Sequence, residues 1–79
     1  MKTRVVVTLK PSVLDPQGKA IEGALKSLGL VGIASVRQGK VFDIELEGGD
    51  AERAQALLNE AADKLLANTV IEAYRVELS

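Results

Sequence analysis

The stretch Lys40 to Glu47 constrains the fold most. Phe42, Ile44 and Leu46 are apolar at every second position, and Val41, Asp43, Glu45 and Glu47 stand between them. Successive side chains of a strand point to opposite faces, so this alternation makes a strand with one dry face and one wet face. Such strands belong to antiparallel sheets covered on one side and open on the other. Three further segments share the two-residue period. From Lys2 to Lys10, Val5, Val7 and Leu9 form the apolar face, opposite Arg4, Val6, Thr8 and Lys10, and Pro11 ends the run. Leu30 to Arg37, with Val31, Ile33, Ala34 and Val36, reads as a second strand that the Gln38-Gly39 turn joins to Lys40–Glu47 as a hairpin. Val70 to Leu78 closes the set, with Tyr74, Val76 and Leu78 on one face and Arg75 and Glu77 on the other.

Two segments carry the helical period instead. Asp15-Pro16 is a helix start: the carboxylate caps free N–H groups, and proline fits the first turn because its missing N–H has no partner there. Ile21, Ala24, Leu25 and Leu28 follow at i, i+3, i+4 and i+7, and Gly29 supplies a left-handed stop, giving a helix over 16–28. Gly18 and Gly23 lie inside it at a propensity cost of about 1 kcal/mol each. Gly18 has a second reading, the close approach of a backbone or ligand to the first turn. Asp50 caps the second helix, with Ala54, Leu57, Leu58, Ala61, Leu65 and Leu66 on its inner side and Asn68 suited to a left-handed end.

Strand, helix, strand, strand, helix, strand, with right-handed crossovers, predicts an α+β ferredoxin-like βαββαβ sandwich: a four-stranded antiparallel sheet with both helices on one face. The 79 residues make one domain, 1–79. Domains this small draw only about 3–5 kcal/mol from a single core. The chain is therefore expected to bury surface against a partner or a second copy.

Composition excludes most chemistry. With no Cys and no His, disulfide scaffolds, zinc and iron–sulfur sites, thiol catalysis and His-based relays are ruled out. Ten Lys and Arg against eleven Asp and Glu leave a net charge of −1, which gives no general pull toward nucleic acid or an anionic membrane. Apolar runs are too short to span a bilayer, no signal peptide is expected, and the expected address is cytoplasmic. The two aromatics, Phe42 and Tyr74, alternate with the core face, not the open face where an RNA-recognition sheet stacks bases. Ser12, Ser27 and Ser35 have no activating base, and Asp43, Glu45 and Glu47 read as a solvated face. No catalytic and no metal-binding residue is expected.

Val5-Val6-Val7-Thr8-Leu9-Lys10-Pro11, followed by Val13-Leu14-Asp15-Pro16-Gln17-Gly18, resembles the opening of the PurS family, the small subunits of phosphoribosylformylglycinamidine synthase. The likeness continues through Ala20-Ile21, Ala24-Leu25, Leu28-Gly29 and Val36-Arg37-Gln38-Gly39-Lys40 to the ending Val70–Leu78. The Leu-Asp-Pro-Gln-Gly stretch and the Arg-x-Gly-Lys turn are its specific parts. The resemblance implies a non-catalytic subunit of a glutamine-using, ATP-dependent C–N ligase of purine biosynthesis. Such a subunit is a homodimer, with tetramers a further option, that bridges a glutaminase subunit and a large synthetase subunit and assists ammonia transfer between them. It binds no cofactor itself; ATP and Mg²⁺ belong to the complex.

Candidate partner contacts are Lys10, Leu14, Asp15, Pro16, Gln17 and Gly18 at the first strand-to-helix corner, and Arg37, Gln38, Gly39 and Lys40 at the hairpin tip. The two regions are left free to serve different partners. Self-association is assigned to the open sheet face, through Arg4, Val6, Thr8, Val41 and Arg75, with edge-strand pairing as the rival geometry. The alternative function is a small-molecule-sensing regulatory module of ACT-like design.

Overall fold

The computed structural model describes all 79 residues, Met1–Ser79. Its elements are β1 (Lys2–Leu9), α1 (Pro16–Ser27), β2 (Gly39–Glu45), α2 (Ala51–Ala61), a π-helical turn (Ala62–Leu66) that continues α2, and β3 (Glu72–Leu78). The sheet is antiparallel with three strands, in the order β2-β1-β3. β1 is central: Val5 faces Phe42 of β2 and Val76 of β3, and Val7 faces Lys40 and Tyr74.

The period-two pattern of β1 translates directly into burial. Val5 and Val7 are fully covered, while Arg4 and Thr8 are exposed. Leu58 and Ala62 from the second helical segment and Ala67 beyond it close over these valines. Phe42, Ile44, Leu46, Leu66, Tyr74, Val76 and Leu78 pack around that centre. Thr3, the one buried hydroxyl on β1, donates to the Ile44 carbonyl at 2.6 Å.

The fold is α+β with two helices, but it departs from the four-stranded expectation in two linked ways. Residues 30–37 form no strand. Leu30 donates its N–H to the Leu25 carbonyl, and the N–H groups of residues 31–37 join no backbone ladder. A strand exists only beside a neighbour, and the start of α1 holds this segment away from β2: the Val36 carbonyl abuts Gly18, and the Gln38 N–H binds Asp15. The predicted hairpin is therefore absent. The second departure is α1 itself. α2 packs on β3, whereas α1 makes no comparable packing against any strand or against α2, and its one buried residue is Gly18.

The dimensions agree. A compact chain of this length has a radius of gyration of about 12 Å; this one has 15.7 Å, with extents of 47 × 25 × 14 Å. An eight-residue strand spans about 26 Å and a twelve-residue helix about 18 Å, so the long axis is that of sheet and helix laid end to end, not stacked. Residues 10–38 thus form an arm that leaves the sheet after β1 and returns at β2.

Smaller corrections follow from hydrogen bonding. No residue other than glycine has positive φ, so Asn68 is not left-handed; its Oδ1 accepts from the Val70 N–H at 3.2 Å, and its carbonyl accepts from Ile71 and Glu72. Gly29 does take the left-handed stop, at φ 82°. The π-helical turn, closed by the Ala67 N–H on the Ala62 carbonyl, shifts the helical phase and leaves Leu65 83% exposed. Leu57 is also half in solvent, so neither leucine belongs to the inner side assigned from spacing.

Candidate functional site

Both limbs of the arm meet at its neck, where the two sets of candidate partner contacts come together. Pro16 starts α1, and Asp15 is its N-cap, as the dipeptide predicts. One carboxylate oxygen, Oδ1, accepts from the Gly18 N–H at 2.9 Å. The other, Oδ2, reaches across to the Gln38 N–H at 2.7 Å. These two donors, Gln38 foremost, hold the Asp15 carboxyl below the usual carboxylate range; burial opposes the shift, and the Arg37 charge and the Gln17 N–H assist it.

Arg37 closes the neck from the other side. Its Nη2 donates to the carbonyls of Lys10 at 3.0 Å and Val13 at 2.8 Å. The Gln38 side chain donates to that of Gln17 at 2.9 Å. Glycine is obligatory at two points. A Cβ on Gly18 would lie 2.5 Å from the Val36 carbonyl oxygen, and one on Gly39 would lie 2.6 Å from that of Val7. The reading of Gly18 as a point of close backbone approach therefore holds, whereas Gly23 has open space around it.

The candidates divide by exposure. Leu14, Pro16, Gln17, Arg37 and Gln38 face solvent. Asp15 and Gly18 are buried, so they cannot touch a partner directly and instead hold the exposed residues in place. Lys10 is half-buried and donates its N–H to the Ile71 carbonyl. Gly39 and Lys40 are exposed as well, and Lys40 pairs with Glu72 at 3.6 Å. Arg37–Lys40 form no hairpin tip, because residues 30–37 are not a strand; Arg37 and Gln38 end the return limb of the arm, and Gly39 and Lys40 begin β2.

The self-association candidates share the open sheet face. Val6 stands opposite Val41 and Arg75, Arg4 opposite Asp43 and Glu77, and Thr8 opposite Ala73. Arg4 pairs with Asp43 at 2.8 Å and Arg75 with Glu77 at 2.7 Å. A small apolar centre therefore sits beside a field of alternating charge. Sequence spacing did not mark a third surface, the apolar side of the arm. Ile21, Leu28, Leu30 and Val31 are exposed there, Val31 at 95%. The i, i+7 spacing of Ile21 and Leu28 signals an inward face of the helix but does not say whose interior it faces. Glu22, which binds Lys26 at 3.3 Å, keeps its Oε1 covered without a hydrogen-bond partner.

No group of three or more carboxylates converges as a metal site would require, and no helix is long and apolar enough to cross a membrane. Taken together, these features describe a small α+β chain with two exposed surfaces that its own core leaves uncovered, the apolar arm and the open sheet face. The family profile described as PurS, phosphoribosylformylglycinamidine (FGAM) synthase, matches residues 2–79, and the chain belongs to that family. It is similar to the phosphoribosylformylglycinamidine synthase subunit PurS of Synechocystis, at 47% identity over 96% of this chain and 76% of that one. Its fold matches Methanocaldococcus jannaschii PurS, one of the subunits of formylglycinamide ribonucleotide amidotransferase in the purine biosynthetic pathway, with TM-score 0.87 at 37% identity over 96% and 92% of the two chains. It also matches a chain of the PurLQS structure from Thermotoga maritima, with TM-score 0.88 at 33% identity over 98% and 95%. The chain is thus a subunit of phosphoribosylformylglycinamidine synthase, a purine-pathway ligase, as the sequence resemblance implied.

Proposed function

We propose that this chain, in the cytoplasm, bridges the glutaminase and ATP-dependent synthetase subunits of phosphoribosylformylglycinamidine synthase and assists the passage of ammonia between them. In bulk water at neutral pH ammonia is protonated and loses the lone pair that makes it a nucleophile, so a sealed junction between two active sites preserves reactivity. ATP and Mg²⁺ belong to the synthetase in this reading, and the chain binds neither, nor nucleic acid nor a membrane. The neighbour within a PurLQS structure supports the three-part assembly.

The observation that carries the reading is the uncovered arm beside a sheet one strand short of the predicted four. The bridging unit is two copies that exchange arms, with dimers pairing into tetramers as a further step. The outer edge of β2 is free, and residues 30–37 are strand-forming and unpaired. A second copy supplies a matching segment to each edge by symmetry, and its α1 covers apolar sheet surface that this α1 leaves open.

Size-exclusion chromatography with light scattering tests the reading, with the glutaminase and synthetase from the same source, Mg²⁺, ADP and glutamine present. All three proteins are expected to co-elute. Omission of this chain is expected to abolish glutamine-dependent but not ammonia-dependent turnover. A chain that elutes apart, with glutamine-dependent turnover unchanged in its absence, overturns the bridging role.

A further inference from the structure

We propose that Asp15 is a positioning residue that locks the arm at one angle to the sheet, so that assembly surfaces on arm and sheet meet a partner as a single rigid template. The lock is a different device from a helix cap, and the chain contains its own comparison. Asp50 caps α2 with one oxygen, Oδ1, which accepts from both Glu52 and Arg53 inside its own helix, and the residue is exposed. Asp15 is 5% exposed and divides its two oxygens: Oδ1 serves the helix through Gly18, and Oδ2 crosses 23 residues of sequence to Gln38. A single carboxylate therefore ties the outgoing limb of the arm to the returning limb, next to the last β1–β2 pair, Thr8 with Gly39.

The surroundings reinforce the tie. Arg37 spans two carbonyls of the outgoing limb, and Gly18 lets the Val36 carbonyl approach to where a side chain would stand. Because α1 has no extensive packing on any strand, these contacts at the neck are the main ties that set the arm's direction. Without them the arm pivots on two short connections, and ordering it becomes an entropic cost of assembly.

The chemistry allows the lock to be separated from the cap. Asparagine caps helices as well as aspartate, but its amide has one acceptor oxygen. In Asp15→Asn that oxygen serves Gly18, and the NH₂ group is left facing the Gln38 N–H, donor against donor. The chain has no native cysteine, so spin labels on Ala20→Cys and Glu47→Cys, diluted with unlabelled chain, report the arm-to-sheet distance within one copy. Sedimentation equilibrium reports self-association, and this half of the test rests on the two-copy reading above.

The starting protein is expected to give one narrow distance. Asp15→Asn is expected to keep its helical circular dichroism, broaden the distance distribution, and raise the dimer dissociation constant about tenfold. The exposed Arg37→Gln, which removes the two carbonyl bonds, is expected to act in the same direction and decides the matter should Asp15→Asn fail to fold. Asp50→Asn is expected to change neither readout. Distance distributions as narrow as that of the starting protein, with dissociation constants within about twofold of its value, in both neck variants overturn the lock. A starting protein that stays monomeric at every concentration overturns the two-copy reading instead, and the distance measurement still judges the lock.

Discussion

Two glycines of α1 differ in what surrounds them, and the difference sets the sign of a substitution. Gly18→Ala forces a methyl group into the Val36 carbonyl and the Asp15 carboxylate and is expected to destabilise by about 1–3 kcal/mol. Gly23→Ala meets nothing within 4 Å and is expected to stabilise by about 0.5–1 kcal/mol through helix propensity. Chemical denaturation of both variants checks the pair. Asp15 makes stability depend on pH. Its folded pKa lies below the unfolded value, so its contribution is fully present above about pH 3.9 and is lost as pH falls through the lowered folded value. The stability difference between the starting protein and Asp15→Asn is expected to be largest near neutrality and to shrink in acid, as urea titrations at several pH values will show. The sequence announces Asp15-Pro16 as a helix start because capping needs only local residues. It does not announce Gln38 as the second partner, because nothing in local spacing connects positions 15 and 38.

At the scale of elements, β1 and the second helical segment were legible for the same physical reason: their periodic faces are satisfied within the chain. Leu58 is 1% exposed, and Leu58→Ala is expected to cost about 2–5 kcal/mol. Its neighbour Leu57 is 53% exposed, and Leu57→Ala is expected to fall within about 0.5 kcal/mol of the starting protein. Thermal unfolding of the two variants separates them. Spacing places both leucines inside because it fixes a helix face only to within the width of a stripe; farther along, the π-helical turn after Ala61 moves that stripe and turns Leu65 outward. Residues 30–37 failed differently. Val31, Ile33 and Val36 carry a strand signal, but a strand is a relation between two segments, and this chain holds one of them against its own helix start.

The whole molecule is longer and thinner than its length requires, and the apolar residues on its arm state what it lacks. Val31→Asp lies in solvent and is expected to leave the unfolding free energy of an isolated copy within about 0.5 kcal/mol. In the two-copy reading it places a charge in the shared interior, so light scattering is expected to show monomers where the starting protein dimerises. The candidate partner residues read from sequence are gathered at one neck, although no spacing rule predicted that the two groups would touch. The likeness to other PurS chains identified the family, and the exposures separate the residues available for contact from those that hold them in place.

The central position of β1 also fixes an order of events. Every ladder of the sheet runs through residues 2–9, and Thr3 waits for Leu78. As the chain leaves the ribosome, β1 has no partner until β2 follows and is not enclosed on its other side until β3 has been made. The arm's tie needs nothing beyond Gln38. During synthesis the part that reaches outward can therefore close before the part that holds the core, and the sheet completes last.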